Sequence, residues 1–130
     1  MIGPLLLDTH TFLWAVLEPH KLSEAARAAL ADSTSSVTMS AVNAWEIAIK
    51  VSLGKMPMPP DGPERLRAVA DSTQFTVLPV TVEHAFAVRE LRWHHKDPFD
   101  RLLVAQAKIE GMTLVSDDGL LSRYGVDVLW

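Results

Sequence analysis

The sequence predicts an α/β fold: a parallel sheet of four to five short strands, flanked by helices on both faces. Two observations carry that expectation. Short apolar runs alternate with longer segments of helical character, and such spacing implies crossover connections between parallel strands. The chain of 130 residues, 48% hydrophobic and 22% charged, has the composition of an ordinary globular protein. It contains no internal repeat, low-complexity segment or linker, so residues 1–130 are expected to form one domain.

The elements follow in order. Leu5-Leu6-Leu7 has the character of a buried strand, and Thr9 to about Leu17 that of a helix. Ser23 caps a second helix, with Glu24 in its first turn and Ala25, Ala26, Ala28, Ala29 and Leu30 along it. Val37-Thr38-Met39 is a second strand. Ser40 caps a helix from Ala41 to Leu53, which Gly54 stops. Lys55 to Gly62 is a Pro-rich loop, and its Met56–Pro60 stretch is either solvated or a place for a partner to dock. Pro63 suits the first turn of a helix running to about Ser72. Phe75 to Val80 is strand-like despite Pro79, and Thr81 to Leu91 is helical. Arg92 to Asp97 is a polar connection, and Pro98 opens a helix that Gly111 ends. Thr113 to Ser116 and Val126 to Leu129 are the last strands. Right-handed crossovers would point every strand end toward one rim, where open α/β sheets bind their ligands.

Composition excludes several classes. Sixteen Asp and Glu against twelve Lys and Arg leave a charge of −4, which disfavours bulk nucleic-acid binding. Cysteine is absent, so there is neither a disulfide framework nor a thiolate metal site, which is compatible with a reducing cytosol. Met1–Leu7 lacks the basic region and length of a signal peptide, and no stretch is apolar enough to span a bilayer. A cytoplasmic protein without membrane contact is the expectation.

Six acids stand at positions that invite chemistry. Asp8 follows the first strand, as a turn residue, a helix cap or a ligand. Asp117 and Asp118 follow the Thr113–Ser116 strand, where two adjacent carboxylates repel and add nothing to a simple turn. In Asp97-Pro98-Phe99-Asp100, capping and the helix dipole account for both acids, although Asp100 lies at the edge of an apolar stripe with Phe99, Leu103 and Val104. Glu46 sits in a helix that is apolar nearly all round, with Val42 and Ile49 on its own face. A pair with Lys50 at i+4 is the plain alternative, but so apolar a helix is expected to have little exposed face.

Asp8, Glu46, Asp100 and Asp118 come from different elements that the topology can bring to one rim. Four ionised carboxylates share a pocket only with cations, and oxygen sites select hard ions such as Mg²⁺ or Mn²⁺. Such ions bridging carboxylates and phosphates are the usual means of phosphodiester chemistry. With those four acids set aside, twelve negative charges face twelve positive ones, so a polyanionic substrate is no longer excluded. His94-His95-Lys96, with Arg92 and Arg101 nearby, form a basic cluster beside Asp97 and Asp100, as a solvated loop or a phosphate-contacting edge. The chain has no GxGxxG, P-loop, GxSxG or HExxH, and its histidines never fall at i, i+4.

With these residues placed, the sequence resembles PIN-domain nucleases, and among them the VapC-like ribonuclease toxins of type II toxin–antitoxin pairs. The resemblance spans essentially the whole chain. Leu5-Leu6-Leu7-Asp8-Thr9-His10 is similar to the opening strand and first acid, and Ser40 with Glu46 to the second motif. His95-Lys96-Asp97-Pro98-Phe99-Asp100-Arg101, continuing to Ala105-Gln106-Ala107, resembles the third motif and is the most specific stretch. Leu114-Val115-Ser116-Asp117-Asp118 resembles the closing T-x-D motif, with Ser116 in place of threonine. The resemblance implies a Mg²⁺- or Mn²⁺-dependent endoribonuclease, a homodimer, and a cognate antitoxin at the acidic pocket. On that register Asp8, Glu46, Asp100 and Asp118 are the metal acids. Thr9, Ser116 and Asp117 stand behind them, and Asp97 holds its helix start so that Asp100 points correctly. The rivals are a phosphatase of the haloacid-dehalogenase type, which needs an acid where His10 stands, and a receiver-like phosphoacceptor, which needs its acidic pair early. A catalytically silent PIN fold is the third.

Overall fold

Three consecutive leucines form the central strand β1 (Leu5–Leu7), and all three are fully buried in the computed structural model, which describes residues 3–72 and 74–130. Met1 and Ile2 of the Met1–Leu7 segment, and Thr73, lie outside the described residues. A strand with no polar face requires a sheet covered on both sides. Alternation sends Leu5 and Leu7 into one core with Phe12, Met39, Ile47, Leu66 and Val115. Leu6 enters the other with Val42, Leu103, Val104, Leu114 and Tyr124.

The remaining strands are β2 (Val37–Ser40), β3 (Thr76–Leu78), β4 (Thr113–Val115) and β5 (Val128–Leu129). They make a five-stranded sheet in the order β3-β2-β1-β4-β5, with every neighbouring pair parallel. Among the described residues six α-helices surround it: α1 (Thr9–Leu17), α2 (Glu24–Ala31), α3 (Ala41–Ser52), α4 (Gly62–Asp71), α5 (Val82–Ala87) and α6 (Pro98–Glu110). Phe12 of α1, Ala26 of α2, Ile47 of α3 and Leu66 of α4 serve the first core, whereas Val42 of α3 and Leu103 of α6 serve the second. Among the described residues no helix is long and apolar enough to cross a membrane.

Local chemistry sets the boundaries. Ser23 accepts from the Ala26 amide at 3.0 Å, and Ser40 from Val42 at 3.0 Å, with the Asn43 side chain closing a capping box on the Ser40 amide. Gly111 ends α6 at φ +67°, where a side chain is strained. The expected strand Phe75–Val80 is shorter as β3, since Pro79 has no N–H for the ladder. The expected helix Thr81–Leu91 stops at Ala87 and continues as a 3₁₀ turn, Val88–Glu90. Further unexpected 3₁₀ turns are Pro19–Lys21, between α1 and α2, and Gly119–Tyr124, between β4 and β5.

One expectation is corrected. α3 has an exposed face, but it is apolar: Ala44, Trp45 and Ala48 lie open to solvent, Trp45 at 55% of its surface. An apolar residue in a helix does not by itself mark a buried position.

Candidate active site

The strand order reverses between β1 and β4, and that crevice is where the acids gather. Asp8 follows β1. Its Oδ1 accepts from the Thr11 amide at 2.8 Å, capping α1, and its Oδ2 accepts from the Ser116 hydroxyl just beyond β4. The Ser116 oxygen in turn accepts from the Asp118 amide at 3.0 Å. One hydroxyl thus ties the acid of β1 to the acid after β4. The Thr11 hydroxyl reinforces the same seam by donating to the Val115 carbonyl at 2.8 Å.

Glu46 reaches the crevice from the middle of α3 and is only 3% exposed. Thr9 donates its hydroxyl proton to Oε1 at 2.5 Å, and Lys50 pairs with Oε2. The helical pair at i+4 is therefore formed, and Glu46 also faces the cavity. Asn43 holds this arrangement from behind, donating to the Thr9 hydroxyl at 3.1 Å and to the Leu7 carbonyl at 3.2 Å.

At the start of α6, Asp97 accepts from the Phe99 and Asp100 amides at 2.8 and 3.1 Å, so the capping role is real and it orients the turn that carries Asp100. His95 completes the group. Its Nδ1 accepts from the Asp97 amide at 3.1 Å, which leaves the proton on Nε2. Nε2 lies 2.8 Å from Asp118 Oδ2 and 3.3 Å from Asp100 Oδ2. The ring therefore bridges two carboxylates.

Asp8, Thr9, His10, Glu46, Lys50, Asp97, Asp100, Asp117 and Asp118 thus line one cavity of about 320 Å³. Proton affinities record the burial and, at Asp100, the crowding. The Asp100 carboxyl is pushed up from 3.8 to about 7 by burial first, then by the charge of Asp97, with Glu46 and Asp8 adding and His95 opposing. Burial also raises Asp8, against hydrogen bonds from Ser116 and Thr11. The hydrogen bond to Glu46 raises Lys50.

The donor set fits a hard divalent cation. Asp100 and Asp118 offer carboxylate oxygens within 4.8 Å of each other and of His95 Nε2, which could join them as a ligand by giving up its proton, and the raised Asp100 marks negative charge that is not yet balanced. Mn²⁺ accepts an imidazole in such a set more readily than Mg²⁺ does.

A family comparison decides the class. The PIN domain model matches residues 5–127, nearly the whole chain. This chain belongs to the PIN-domain family. PIN domains are generally nucleases, and no curated protein matches the sequence. The fold of this PIN domain is also that of solved structures of low identity. VapBC2 from Rickettsia felis, bound to a DNA fragment from its promoter, superposes with a TM-score of 0.72 at 15% identity, covering 96% of each chain. DNA-bound VapBC from Salmonella typhimurium gives 0.68 at 20% identity, covering 98% of this chain and 97% of the other. VapBC-5 from Mycobacterium tuberculosis, a member of the VapBC family of toxin–antitoxin systems, gives 0.60 at 18% identity over 97% of each chain.

The basic cluster separates in this PIN domain. Arg101, expected at the phosphate-contacting edge, is only 3% exposed and is corrected to a structural residue. Its guanidinium donates to the carbonyls of Arg92 at 2.8 Å and Val88 at 3.2 Å and to the Tyr124 hydroxyl at 3.2 Å, beneath the Trp93 ring. It staples the 88–95 segment to α6 and has no face left for a substrate. Lys96 is exposed, and Arg92 lines a different cavity.

Sequence reasoning missed Asn43, and it saw Gln106 only as part of a motif. Gln106 is fully buried: Ser40 donates to its Oε1 at 2.6 Å, and its Nε2 donates to the Pro79 carbonyl at 3.3 Å. It joins α6 to the N-terminus of α3, the two helices that present Asp100 and Glu46. Their available signal was a polar residue at the apolar period of a helix.

Proposed function

We propose that this PIN domain is a divalent-metal-dependent endoribonuclease and the toxin of a toxin–antitoxin pair, acting in the cytoplasm as a homodimer. One observation carries the reading: Asp8, Glu46, Asp100 and Asp118, from four separate segments, converge on one cavity at the strand-order reversal. A structural role would disperse these charges, because burial raises the proton affinity of Asp8 and Asp100, and the charges of Asp97, Glu46 and Asp8 raise Asp100 as well. The antitoxin partner rests on the VapBC complexes that share the fold. RNA and the homodimer rest on the motifs around Asp8, Glu46, Asp100 and Asp118.

Asp8, Asp100 and Asp118, with Glu46 beside them, would hold Mg²⁺ or Mn²⁺. The cation supplies the positive charge that admits a phosphodiester among carboxylates and favours in-line displacement at phosphorus. The chain's own groups keep those carboxylates in place. Ser116 spaces Asp8 from Asp118, Thr9 and Lys50 orient Glu46, and Asp97 aims the turn bearing Asp100. His95 presents its Nε2 proton to Asp100 and Asp118, which restrains both before the cation arrives.

The test is incubation of purified protein with pooled RNA and mapping of the new ends. Cleavage is expected with Mg²⁺ or Mn²⁺, none in chelator, and none for Asp8→Asn with an unchanged circular dichroism spectrum. Equal cleavage in chelator would overturn the metal-dependent reading. Expression alone should arrest growth, and co-expression of the cognate antitoxin should restore it; unaffected growth with soluble, active protein would refute the toxin role.

A further inference from the structure

A second cavity, of about 300 Å³, opens beside the acidic one and has the opposite character. Arg92, His94, Lys108 and Arg123 line it, with Tyr124 as a wall. Its lining holds a single carboxylate among the described residues, Glu90, and that group pairs with Arg89 at 3.2 Å. Arg92, Lys108 and Arg123, like Arg27, Lys55, Arg65 and Lys96, form no ion pair among the described residues, whereas Lys21, Lys50, Arg67 and Arg89 each hold an acid; the Lys108 ammonium donates to the Tyr124 carbonyl at 3.2 Å, which leaves its charge unopposed. Three uncompensated cations around one concavity concentrate positive potential in a protein whose net charge is −4.

Two connections tie this cavity to the carboxylates. Tyr124 lines it, and the Tyr124 hydroxyl accepts from the His95 amide at 2.8 Å; His95 then faces Asp100 and Asp118 on its other side. The cavities therefore stand back to back across one Tyr–His contact. Along α6, Lys108 lies eight residues beyond Asp100, which at ~1.5 Å per residue is about 12 Å. With ~3.4 Å of stacked strand per phosphate, that separation corresponds to about three to four nucleotides.

An exposed aromatic identifies the ligand class. Trp93, between Arg92 and His94, is 76% exposed; its ring rests on the Arg101 guanidinium at 3.8 Å, and Arg101 is itself fastened to backbone carbonyls. A tryptophan so supported is a fixed platform with an open face. Phosphate-holding cations beside a stacking platform are the recurring means of binding single-stranded nucleic acid, whereas the carboxylates of an acidic peptide would engage the cations alone.

We propose that the cavity of Arg92, His94, Lys108 and Arg123, with Trp93 beside it, is a second phosphate subsite that holds single-stranded RNA about three to four nucleotides from the phosphate at the carboxylates. It deepens the ribonuclease reading and rests on it for the identity of the strand.

The test uses the Asp8→Asn protein in Mg²⁺, to prevent cutting, and fluorescence anisotropy with unstructured oligouridylates from dinucleotide to octanucleotide. Affinity should rise once the oligonucleotide spans both cavities and then level off. Replacing Arg92 and Arg123 together by Ala should weaken binding of the octanucleotide about tenfold and reduce the salt slope by about 1.4, at ~0.7 per lost phosphate contact. It should leave the dinucleotide little affected. Trp93→Ala should weaken the octanucleotide by about tenfold, as expected for one lost stack. Arg27→Glu, at an exposed position of α2, changes the net charge by as much as the double variant and should bind as the parent does.

Unchanged affinity and salt slope in the double variant, with its melting temperature retained, would overturn the subsite. So would equal losses for Arg27→Glu, which would reduce the effect to net charge. Loss of binding to an acidic protein partner with RNA affinity intact would assign the cavity to that partner instead. Intact cleavage by the unmodified protein alongside any of these results removes the subsite alone, whereas absence of cleavage in Mg²⁺ and Mn²⁺ removes the ribonuclease reading.

Discussion

Asp100→Asn separates a helix-start charge from a member of a metal cluster, and its effect should reverse with conditions. In the folded protein the Asp100 carboxyl is pushed up to about 7 by burial, then by Asp97, with Glu46 and Asp8 adding and His95 opposing. In the unfolded chain it returns to 3.8. Below about pH 4 both states are protonated and Asp100 costs nothing. Between pH 4 and 7 the unfolded state sheds its proton first, so stability falls as pH rises, and above 7 the full cost is present. At ~1.36 kcal/mol per pH unit, that cost is on the order of 4 kcal/mol. The side chain is 21% exposed, so solvent screens little of it. Asn removes the charge, keeps the shape and forfeits a favourable helix-dipole contribution of about 0.3–1 kcal/mol. In chelator at pH 8 the variant should therefore be more stable than wild type by on the order of 3 kcal/mol, roughly 10 °C in melting temperature. At pH 4 the advantage should vanish. With Mn²⁺ at 100 times its dissociation constant, wild type should gain about 2.7 kcal/mol and the variant distinctly less. Thermal melts at both pH values, with chelator and with Mn²⁺, give all the numbers. A variant destabilised equally everywhere would return Asp100 to the role of a first-turn charge.

Two further substitutions probe the support of the site. Lys50→Met leaves Glu46 buried without its cation and should cost about 1–3 kcal/mol in chelator, much of it restored by Mn²⁺; melts in the two buffers measure this. Gln106→Leu strands the Ser40 hydroxyl and the Pro79 carbonyl and should cost about 1–3 kcal/mol in urea unfolding; an unchanged midpoint would show that water replaces both bonds.

Much of the architecture is written in local chemistry. Leu5-Leu6-Leu7 and Leu114-Val115 are apolar on consecutive positions, which only a sheet covered on both faces accommodates. Ser23, Ser40, Asp97 and Gly111 mark helix ends because free amides and a left-handed turn demand those residue types. Asp8 and Asp118 were visible as acids just past parallel strands, where the topology gathers ligands. Pairings between distant segments were not visible. The strand order, which sets Asp8 against Ser116 across 108 residues, depends on how the two cores pack, and no local pattern encodes it. For the same reason the open apolar face of α3 read as buried: a sequence period marks apolar positions, but the neighbouring elements decide which are covered. Arg101 shows the limit most sharply. Beside His95 and Lys96 its charge looked like a surface feature. The path of the 88–95 segment, which turns its carbonyls inward around the guanidinium, makes it the best-satisfied cation of the interior. Charge is a property of the residue; whether that charge meets water, backbone or substrate is decided only when the chain closes around it.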